Sequence, residues 1–297
     1  MRKALIWQLT GRGLCSEINT MLLAILYCKQ EGIEFMLNSE YWNSAYERGW
    51  DDYFEPFCRS VSSNLLDANY LFCNITLRSR LSIWRKKLSL ALKEKKIILI
   101  NVDVWPHIWN VSFTKKTFND GQGDESCFDL CRHILNTIWI YNSNTKKSVF
   151  DLMRSATPKT PYFTIHVRRG DKIREAPHAQ VDRYIQLANR LSKSPIPNCH
   201  VMTDDYEVVC ELRQKFRDLN FFSLCLPDSR GHDQNIFNSS SSPSRKINTI
   251  NLLADLNLAM EGVFFVGTFS SNVGRLVALR RGLESTFSVD IPYAMKV

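Results

Sequence analysis

The stretch YFTIHVRRGDK, residues 162–172, decides the fold of this chain. Its first six residues have the pattern of a short strand that is buried on both faces, which is typical of a parallel sheet. Two arginines follow the strand at once, and an aspartate and a lysine come just after them. Ligands of open parallel sheets bind at the carboxyl ends of the strands. This order of residues therefore predicts an α/β protein with an anion site at the edge of a sheet.

Predicted strands and helices alternate on both sides of this stretch. Before it, strands at residues 4–9, 33–37 and 96–100 alternate with helices at 16–30 and 78–95, and helical patterns follow between 127 and 154. After it, strands at 199–203 and 263–268 alternate with helices at 181–192, 205–216, 248–261 and 272–281. The alternation predicts two doubly wound parallel sheets.

Two segments interrupt this pattern. SATPKTP, residues 155–161, contains two prolines among small polar residues and predicts a domain boundary. We therefore expect an N-terminal Rossmann-like domain over residues 1–156 and a C-terminal Rossmann-like domain over residues 157–297. The serine-rich segment 238–244 predicts a mobile loop.

The composition is that of a globular protein with a basic balance. The chain has 297 residues, of which 44% are hydrophobic and 23% charged, and these values exclude a disordered or fibrous chain. A net charge of +8 favours an anionic partner, which leaves nucleic acid, a membrane surface and a phosphorylated small molecule open. The helix predicted at 78–95 has an apolar face of residues at helical spacing, namely Leu77, Leu81, Trp84, Leu88 and Ala91. It also carries Arg85, Lys86 and Lys87, and these cations keep a basic nucleic-acid or membrane-surface binding protein as the alternative class.

The cysteines and the apolar runs indicate the compartment. Nine cysteines are scattered along the chain without zinc-finger spacing, so we expect thiols that pack as small hydrophobic groups and no structural metal. The apolar run from Ile18 to Tyr27 is about half as long as a membrane span. We expect a cytoplasmic protein without a membrane-spanning segment.

Three clusters carry candidate chemistry. Arg168, Arg169 and Lys172 follow the strand and suit phosphate oxygens, although an Arg–Asp pair that staples the loop explains the same residues. GTFSSNVGR, residues 267–275, predicts an anion site at a helix N-terminus, and a serine run that only caps the helix is the alternative. The turn Gly11-Arg12-Gly13 resembles a dinucleotide-binding fingerprint but lacks its third glycine, so the turn alone is weak evidence for such a site.

Four motifs, in the order in which they occur, resemble one enzyme superfamily. They are HVRRGDK at 166–172, TDD at 203–205, AD at 254–255 and TFSS at 268–271. The set resembles the core α1,6-fucosyltransferases and the rhizobial nodulation-factor fucosyltransferases, and more distantly the protein O-fucosyltransferases. RRGD also resembles the α1,2-fucosyltransferases, because the core enzymes have threonine where this chain has Gly170. The resemblance is strongest between residues 162 and 282.

The resemblance implies a GT-B fold, with two Rossmann-like domains and a cleft between them. It also implies an inverting, metal-independent transfer of L-fucose from GDP-fucose to a glycan or glycoconjugate acceptor. An α1,6 linkage is the first expectation, and an α1,2 or other linkage is the alternative. A sugar-nucleotide binder without turnover is a further alternative, and neither nucleic acid nor a resident cofactor is expected.

The resemblance assigns roles to individual residues as well. Arg168 matches the arginine that holds the β-phosphate of the donor, His166 and Asp255 match a guanine-contacting pair, and Ser271 matches a hydroxyl on the diphosphate. The donor-binding positions are His166, Arg168, Arg169, Tyr184, Asp204, Asp255, Ser270 and Ser271.

Catalysis is assigned to Arg168, Lys172 and Glu175. Glu175 resembles the base that activates the acceptor hydroxyl, and Lys172 resembles its proton-relay partner, although a surface glutamate beside Arg174 is the alternative for Glu175. Inversion needs a single base on the acceptor side, which suits one carboxylate on a loop.

Two further groups have competing interpretations. Asp204-Asp205 is similar to the metal-binding acidic motif of the other glycosyltransferase fold but lacks its intervening residue, so we expect no metal. Trp105 and Trp109 follow a predicted buried strand and offer aromatic faces to a sugar, or else form a half-buried rim.

Overall fold

A computed structural model describes residues 2–62, 77–119, 124–171 and 179–295, without the side chains of residues 77–80 and 119. The chain divides into two compact units, Met1–Asn142 and Ser143–Met295. Each unit is built on one parallel sheet, which confirms the predicted fold class.

The first unit contains a four-stranded parallel sheet. Its strands are β1 (Lys3–Gln8), β2 (Glu34–Asn38), β3 (Arg59–Ser60) and β4 (Ile97–Ile100), in the order β3-β2-β1-β4. Its helices are α1 (Leu14–Glu31), α2 (Leu77–Glu94), α3 (Asn101–Ile108), α4 (Val111–Thr114) and α5 (Cys127–Ile138). An antiparallel hairpin of β5 (Thr117–Asn119) and β6 (Asp124–Ser126) precedes α5, and a 3₁₀ turn covers Gly49–Asp52.

A buried acid organises the turn between β1 and α1. Glu17, in the first turn of α1, accepts hydrogen bonds from the N–H and the hydroxyl of Thr10. Burial raises the pKa of Glu17, and the charge of Arg12 opposes that shift. The Gly11-Arg12-Gly13 turn is thus held by contacts within the first unit.

Helix α2 packs on the sheet with a face that overlaps, among the described side chains, only at Ala91 with the apolar face that its sequence pattern indicates. Ile83, Leu90 and Ala91 contact the core of the sheet. Leu81, Trp84 and Leu88, which share the predicted apolar face, are exposed, with Trp84 60% accessible. Of the predicted cations, Lys87 is paired with Asp103 at 2.7 Å.

The second unit contains a five-stranded parallel sheet. Its strands are β7 (Tyr162–Val167), β8 (Asn198–Thr203), β9 (Asn220–Phe222), β10 (Phe265–Gly267) and β11 (Thr286–Ser288). The order is β11-β10-β7-β8-β9, so the chain runs outward from β7 to β9 and then returns to the other side of β7. This is the doubly wound arrangement, and its reversal point lies between β7 and β10.

Helices flank this second sheet. They are α6 (Ser143–Ala156), α7 (Val181–Leu191), α8 (Tyr206–Lys215), α9 (Gln234–Ser239), α10 (Ser242–Glu261) and α11 (Asn272–Arg281), with a 3₁₀ turn at Leu283–Ser285. Because side chains alternate along a strand, Phe163, Ile165 and Val167 of β7 pack in the core with α7 and α8. Thr164 faces α10, since its hydroxyl lies 3.5 Å from the Leu258 carbonyl.

The predicted domain boundary differs from the division in the structure. The expected boundary falls at residues 156–157, whereas the units separate at residues 142–143. The reason is that α6, which precedes the proline-rich segment, packs along α10 and so belongs to the second unit. The prolines therefore mark the end of a helix, not the end of a domain.

The serine-rich segment is also more ordered than its composition suggests. Residues 238 and 239 end α9, and α10 begins at Ser242 rather than at residue 248. The Ser241 hydroxyl accepts from the Ser244 N–H, and Pro243 occupies the first turn of α10. In this segment the serines act as helix caps.

Among the described helices, none has both the length and the apolar character needed to cross a membrane.

Candidate functional site

The candidate site lies at the carboxyl ends of β7 and β10, where the strand order of the second sheet reverses. We call the two loops that leave these ends, Arg168–Asp171 and Thr268–Ser271, the switch edge. A reversal point separates the loops on either side of it and leaves a crevice at the strand ends, which is where open α/β sheets bind ligands.

Arg168 is fixed at the switch edge by two carboxylates. Its Nη2 atom donates to Oδ1 of Asp171 at 2.7 Å, and its Nε atom lies 3.7 Å from Oδ2 of Asp204. The side chain keeps 22% of its surface accessible, and within the described residues its Nη1 atom has no hydrogen-bond partner. The Arg–Asp pair that the sequence analysis gave as an alternative is therefore present, and among the described residues it occupies one of the two terminal nitrogens of the guanidinium.

Asp171 is itself anchored to a second loop. Its Oδ2 atom accepts from the Gln234 N–H at 3.1 Å, and its own N–H donates to the His232 carbonyl at 3.0 Å. Burial alone would raise the pKa of Asp171, but the bonds from Arg168 and Gln234 outweigh burial and hold the pKa below its ordinary value. Asp171 therefore stays ionised and keeps Arg168 oriented.

Asp204 shapes the same loops from the end of β8. Its Oδ1 atom accepts from the Arg169 N–H at 2.8 Å and its Oδ2 atom accepts from the His232 N–H at 3.0 Å. The guanidinium of Arg169 donates to the Ala179 carbonyl at 3.0 Å, just before α7. Both residues match donor-pocket positions, and the structure places their polar groups in contacts that hold the loops together.

Gly170 allows a very close approach between these loops. Its φ is +41°, and a Cβ there would lie 2.3 Å from the His232 carbonyl oxygen and 2.8 Å from Oδ2 of Asp204. Gly231 contributes to the same contact, because its own Cβ would lie 2.7 Å from the Cα of Gly170. A threonine at position 170, as in the core α1,6 enzymes, would require the segment around His232 to move.

The second loop of the switch edge is held by an acid that the sequence did not reveal. Asp290, two residues beyond β11, accepts from the N–H groups of Phe269 at 2.9 Å and Ser270 at 3.3 Å. Burial would raise the pKa of Asp290, but the hydrogen bonds from Ser270, Ser288 and the backbone hold the pKa below its ordinary value. These N–H groups are therefore satisfied by a carboxylate of the same unit.

Ser270 and Ser271 of this loop differ in the hydrogen bonds that they make. Ser270 donates its N–H to Oδ2 of Asp290 at 3.3 Å, and its side chain helps to lower the pKa of that acid. Ser271 is the N-cap of α11, where its Oγ atom accepts from the Val273 N–H at 3.3 Å. Accepting that bond leaves the hydroxyl proton of Ser271 available to donate to an anion. The N-capping interpretation is correct for Ser271, and it is compatible with anion binding.

His166 lies beneath the switch edge as a neutral imidazole. It is 4% exposed, and its ring stacks on Phe265 with centroids 6.3 Å apart. Burial, followed by the charge of Arg168, lowers the pKa of His166 to about 4. Within the described residues its Nδ1 atom is buried and has no hydrogen-bond partner.

Asp255 is paired with a histidine that the sequence analysis did not single out. Asp255, on α10, pairs with His200 of β8, with 3.0 Å between Oδ1 and Nε2. His200 is completely buried, and its Nδ1 atom lies 3.3 Å from the Thr164 hydroxyl. Thr164, His166 and His200 lie on the face of the sheet that α10 covers, because β7 and β8 pair with Thr164 opposite His200.

Of the remaining predicted residues, one lies in the core and two lie outside the described residues. Tyr184 of α7 lies in the hydrophobic core, where burial raises its pKa, with Arg169 and Asp290 within electrostatic range. Lys172 and Glu175 lie outside the described residues. Their roles stay predictions.

Two further predicted features engage in contacts within the first unit. Trp105 and Trp109 of α3 stack on each other with centroids 4.5 Å apart, and the Arg12 guanidinium lies 5.5 Å from the centre of the Trp105 ring. This packing favours the half-buried rim over an open sugar platform. Across the described ranges, no group of three or more His, Cys, Asp or Glu side chains is arranged to hold a metal ion.

Sequence reasoning missed three residues that build the site. Asp171 belongs to the HVRRGDK motif, but the motif suggested it only as the partner in an Arg–Asp pair that was the alternative to phosphate binding. The motif did not predict that Asp171 orients Arg168. His200 and Asp290 carried no motif, since one lies in a strand pattern and the other follows a three-residue strand. The only available signal for His200 was a polar residue in an otherwise apolar strand.

The fold resembles that of solved fucosyltransferases. NodZ from Bradyrhizobium is 14% identical, with a TM-score of 0.57 over 93% of this chain and 92% of that chain. A mutant of Arabidopsis thaliana FUT1 in complex with GDP is 12% identical, with a TM-score of 0.56 over 100% of this chain and 72% of that chain. POFUT1 in complex with GDP-fucose is 7% identical, with a TM-score of 0.54 over 97% of each chain. The two parallel-sheet units thus have the GT-B fold of these structures.

A family model described as alpha-(1,6)-fucosyltransferase N- and catalytic domains matches residues 125–280, which is more than half of the chain. The chain belongs to this family and is an enzyme of the fucosyltransferase class, so the predicted resemblance is confirmed. No curated protein sequence matches the chain.

Proposed function

We propose that this enzyme transfers L-fucose from GDP-fucose to a hydroxyl of a glycan or glycoconjugate, with inversion at the anomeric carbon and an α1,6 linkage. The observation that carries the proposal is the guanidinium of Arg168, which Asp171 holds at the point where the strand order reverses and whose Nη1 atom makes no hydrogen bond to the described residues. POFUT1 in complex with GDP-fucose and FUT1 in complex with GDP, which share the fold, support this donor.

Two groups at the switch edge bind the diphosphate of the donor. Arg168 binds β-phosphate oxygens through Nη1, and the Ser271 hydroxyl donates to the diphosphate at the positive end of α11. Asp171, Asp204 and Asp290 are acceptors already bonded within the unit, so they orient the donor-binding groups rather than contact the phosphates. A fixed arginine costs no reorganisation when charge develops on the leaving group.

The guanine base lies against the α10 side of the sheet. His166 contacts it with a neutral ring, and Asp255 accepts from its N–H groups. Both residues are held by the fold, since His166 is stacked on Phe265 and Asp255 is paired with His200.

The chemical step breaks the bond between the anomeric carbon and the β-phosphate oxygen. GDP leaves with the bonding electrons, and the acceptor oxygen attacks from the opposite face and gives its proton to Glu175, with Lys172 relaying it. Arg168 stabilises the negative charge that builds on GDP, an effect of about 3–4 kcal/mol for one well-placed donor. We therefore propose that the reaction needs no divalent metal, and that activity in excess EDTA equals activity without it.

A panel of nucleotides tests the donor. GDP-fucose and GDP are expected to raise the melting temperature of the protein, while UDP-sugars leave it unchanged, because only ligands of the folded state stabilise it. Incubation with GDP-fucose and candidate glycans, followed by NMR of the product, gives the anomeric configuration and the linkage. Stabilisation by UDP-sugars alone, or a product with retained configuration, contradicts the proposal. An α1,2 product contradicts only the linkage.

A further inference from the structure

A chain of three side chains runs beneath the proposed guanine site. The Thr164 hydroxyl lies 3.3 Å from Nδ1 of His200, and Nε2 of His200 lies 3.0 Å from Oδ1 of Asp255. Thr164 and His200 are fully buried on neighbouring central strands. The chain therefore connects the middle of the sheet to α10 through polar contacts alone.

The chemistry of imidazole fixes the direction of these hydrogen bonds. A neutral imidazole has one donor nitrogen and one acceptor nitrogen. An ionised Asp255 can only accept, so the proton of a neutral His200 ring lies on Nε2 and is donated to Oδ1 of Asp255. Nδ1 is then the acceptor, and the Thr164 hydroxyl donates to it at 3.3 Å rather than to the more distant Leu258 carbonyl at 3.5 Å. The ring is also packed against Phe222, with centroids 5.2 Å apart, and against Tyr162 at 6.3 Å. The hydrogen bonds therefore select one tautomer of His200, and the aromatic contacts limit the rotation of its ring.

The consequence for Asp255 is a carboxylate with one fixed and one open oxygen. Its side chain is 13% exposed, and within the described part of the chain Oδ2 has no hydrogen-bond partner. A carboxylate held through Oδ1 presents Oδ2 in a defined direction. The N1–H and 2-amino groups of guanine are two parallel donors that match the two oxygens of such a carboxylate, and each oxygen can accept more than one hydrogen bond.

We propose that His200 is a positioning residue that orients Asp255 toward the 2-amino group of guanine, and that it thereby sets the preference of the enzyme for guanine over hypoxanthine nucleotides. This inference rests on the proposed function, in which Asp255 accepts from the base. Hypoxanthine lacks the 2-amino group, so only a well-oriented carboxylate distinguishes the two bases.

Two variants of similar shape separate this role from packing. Gln places an N–H donor close to the position of Nε2, whereas Met fills the space without a donor. We expect the wild-type protein to bind GDP about 10-fold more tightly than IDP, as for one hydrogen bond to a charged group. His200→Met should bring the ratio of IDP to GDP dissociation constants close to one, and His200→Gln should retain most of it. Calorimetric titrations with GDP and IDP measure these ratios.

Thr164→Val is a second variant that keeps His200 and the shape of residue 164. Without the hydroxyl, Nδ1 no longer has its donor, so we expect the IDP-to-GDP ratio to fall about 3-fold at an unchanged melting temperature. This variant decides the question if His200→Met does not fold. A wild-type ratio in folded His200→Met or in Thr164→Val overturns the proposal.

The wild-type protein tests the underlying function separately. If it binds GDP no better than UDP, the proposed donor itself is wrong. If it prefers GDP over both UDP and IDP while the ratio is unchanged in the variants, the donor stands and only the role of His200 is refuted.

Discussion

The Nη2 atom of Arg168 lies 2.7 Å from Oδ1 of Asp171, three residues later in the same loop. Asp171 also accepts from the Gln234 N–H, so the arginine is tied through one carboxylate to a loop more than 60 residues away. The two interpretations of this motif, a staple and a phosphate ligand, are therefore compatible. The staple fixes the direction in which the remaining donors point.

Replacing Arg168 with lysine should reduce turnover far more than GDP affinity. The planar guanidinium of arginine can donate to Asp171 and to a phosphate at the same time in fixed directions, whereas the single ammonium of lysine cannot reproduce this geometry. We expect kcat to fall about 10²- to 10³-fold and GDP affinity to fall less than about 10-fold. Steady-state kinetics and GDP titration measure both, with Arg190→Lys at an exposed position of α7 as the control. A collapse of GDP affinity at unchanged kcat would instead make Arg168 a uniform binding anchor.

Gly170→Ala should disturb the switch edge through one added methyl group. The new Cβ would lie 2.3 Å from the His232 carbonyl oxygen, so the loop that carries Arg168 must move. We expect a loss of about 1–3 kcal/mol in the free energy of unfolding together with weaker GDP binding. Gly32→Ala is the matched control, because Gly32 also has a positive φ of +62° but has nothing within 4 Å of an added Cβ. Equal GDP affinity in the two variants would show that the close approach at Gly170 is not needed.

The stability of the protein should rise with pH between about 4 and 6.5 because of His166. Its pKa is about 4 in the folded protein and 6.5 in the unfolded reference, so in this window only the unfolded chain binds the proton. This contribution is therefore lost as the pH falls, by up to about 3 kcal/mol. Denaturant unfolding of the wild type and of His166→Gln at several pH values measures it. The raised pKa of Asp255 acts in the opposite direction, but it is common to both proteins and cancels in the difference. Parallel stability curves for the two proteins would refute the expectation.

Glu175→Gln should abolish most of the turnover and leave GDP binding intact. A base acts on the acceptor hydroxyl and does not touch the nucleotide, so its removal lowers kcat by about 10²- to 10⁴-fold. Glu207→Gln, at an exposed position of α8, is the control. Wild-type turnover in the Glu175 variant would place the base elsewhere.

The sequence predicts the long elements of the fold well and the short ones poorly. Strands such as β7 and β8 have six buried residues each and leave a clear pattern, whereas β9 and β11 have three residues and fall below what periodicity detects. The predicted apolar face of α2 is wrong at Leu81, Trp84 and Leu88 for a related reason, while Ala91 packs on the core as predicted. Two apolar stripes occur on that helix, and only tertiary packing selects the one with Ile83 and Leu90.

The site shows the same limit at the level of single residues. Arg168 and Ser271 follow strands directly, so position along the chain is enough to bring them to one edge. Asp290 reaches Ser270 from 20 residues away, and Asp255 reaches His200 from 55 residues away. Such contacts depend on which strands are neighbours in the sheet. Neither the periodicity of a sequence nor its short motifs indicate which strands will pair.

The position of β7 at the centre of its sheet has a consequence for biosynthesis. Its partner β10 begins at Phe265, roughly 100 residues after β7 ends, so a ribosome that adds 5–20 residues per second exposes one edge of β7 for roughly 5–20 s. Throughout that interval the nascent chain carries an apolar strand with unpaired backbone groups, which is a template for association with other chains. The yield of folded enzyme in a cell therefore depends on chaperones and on the speed of translation as well as on the stability of the finished protein.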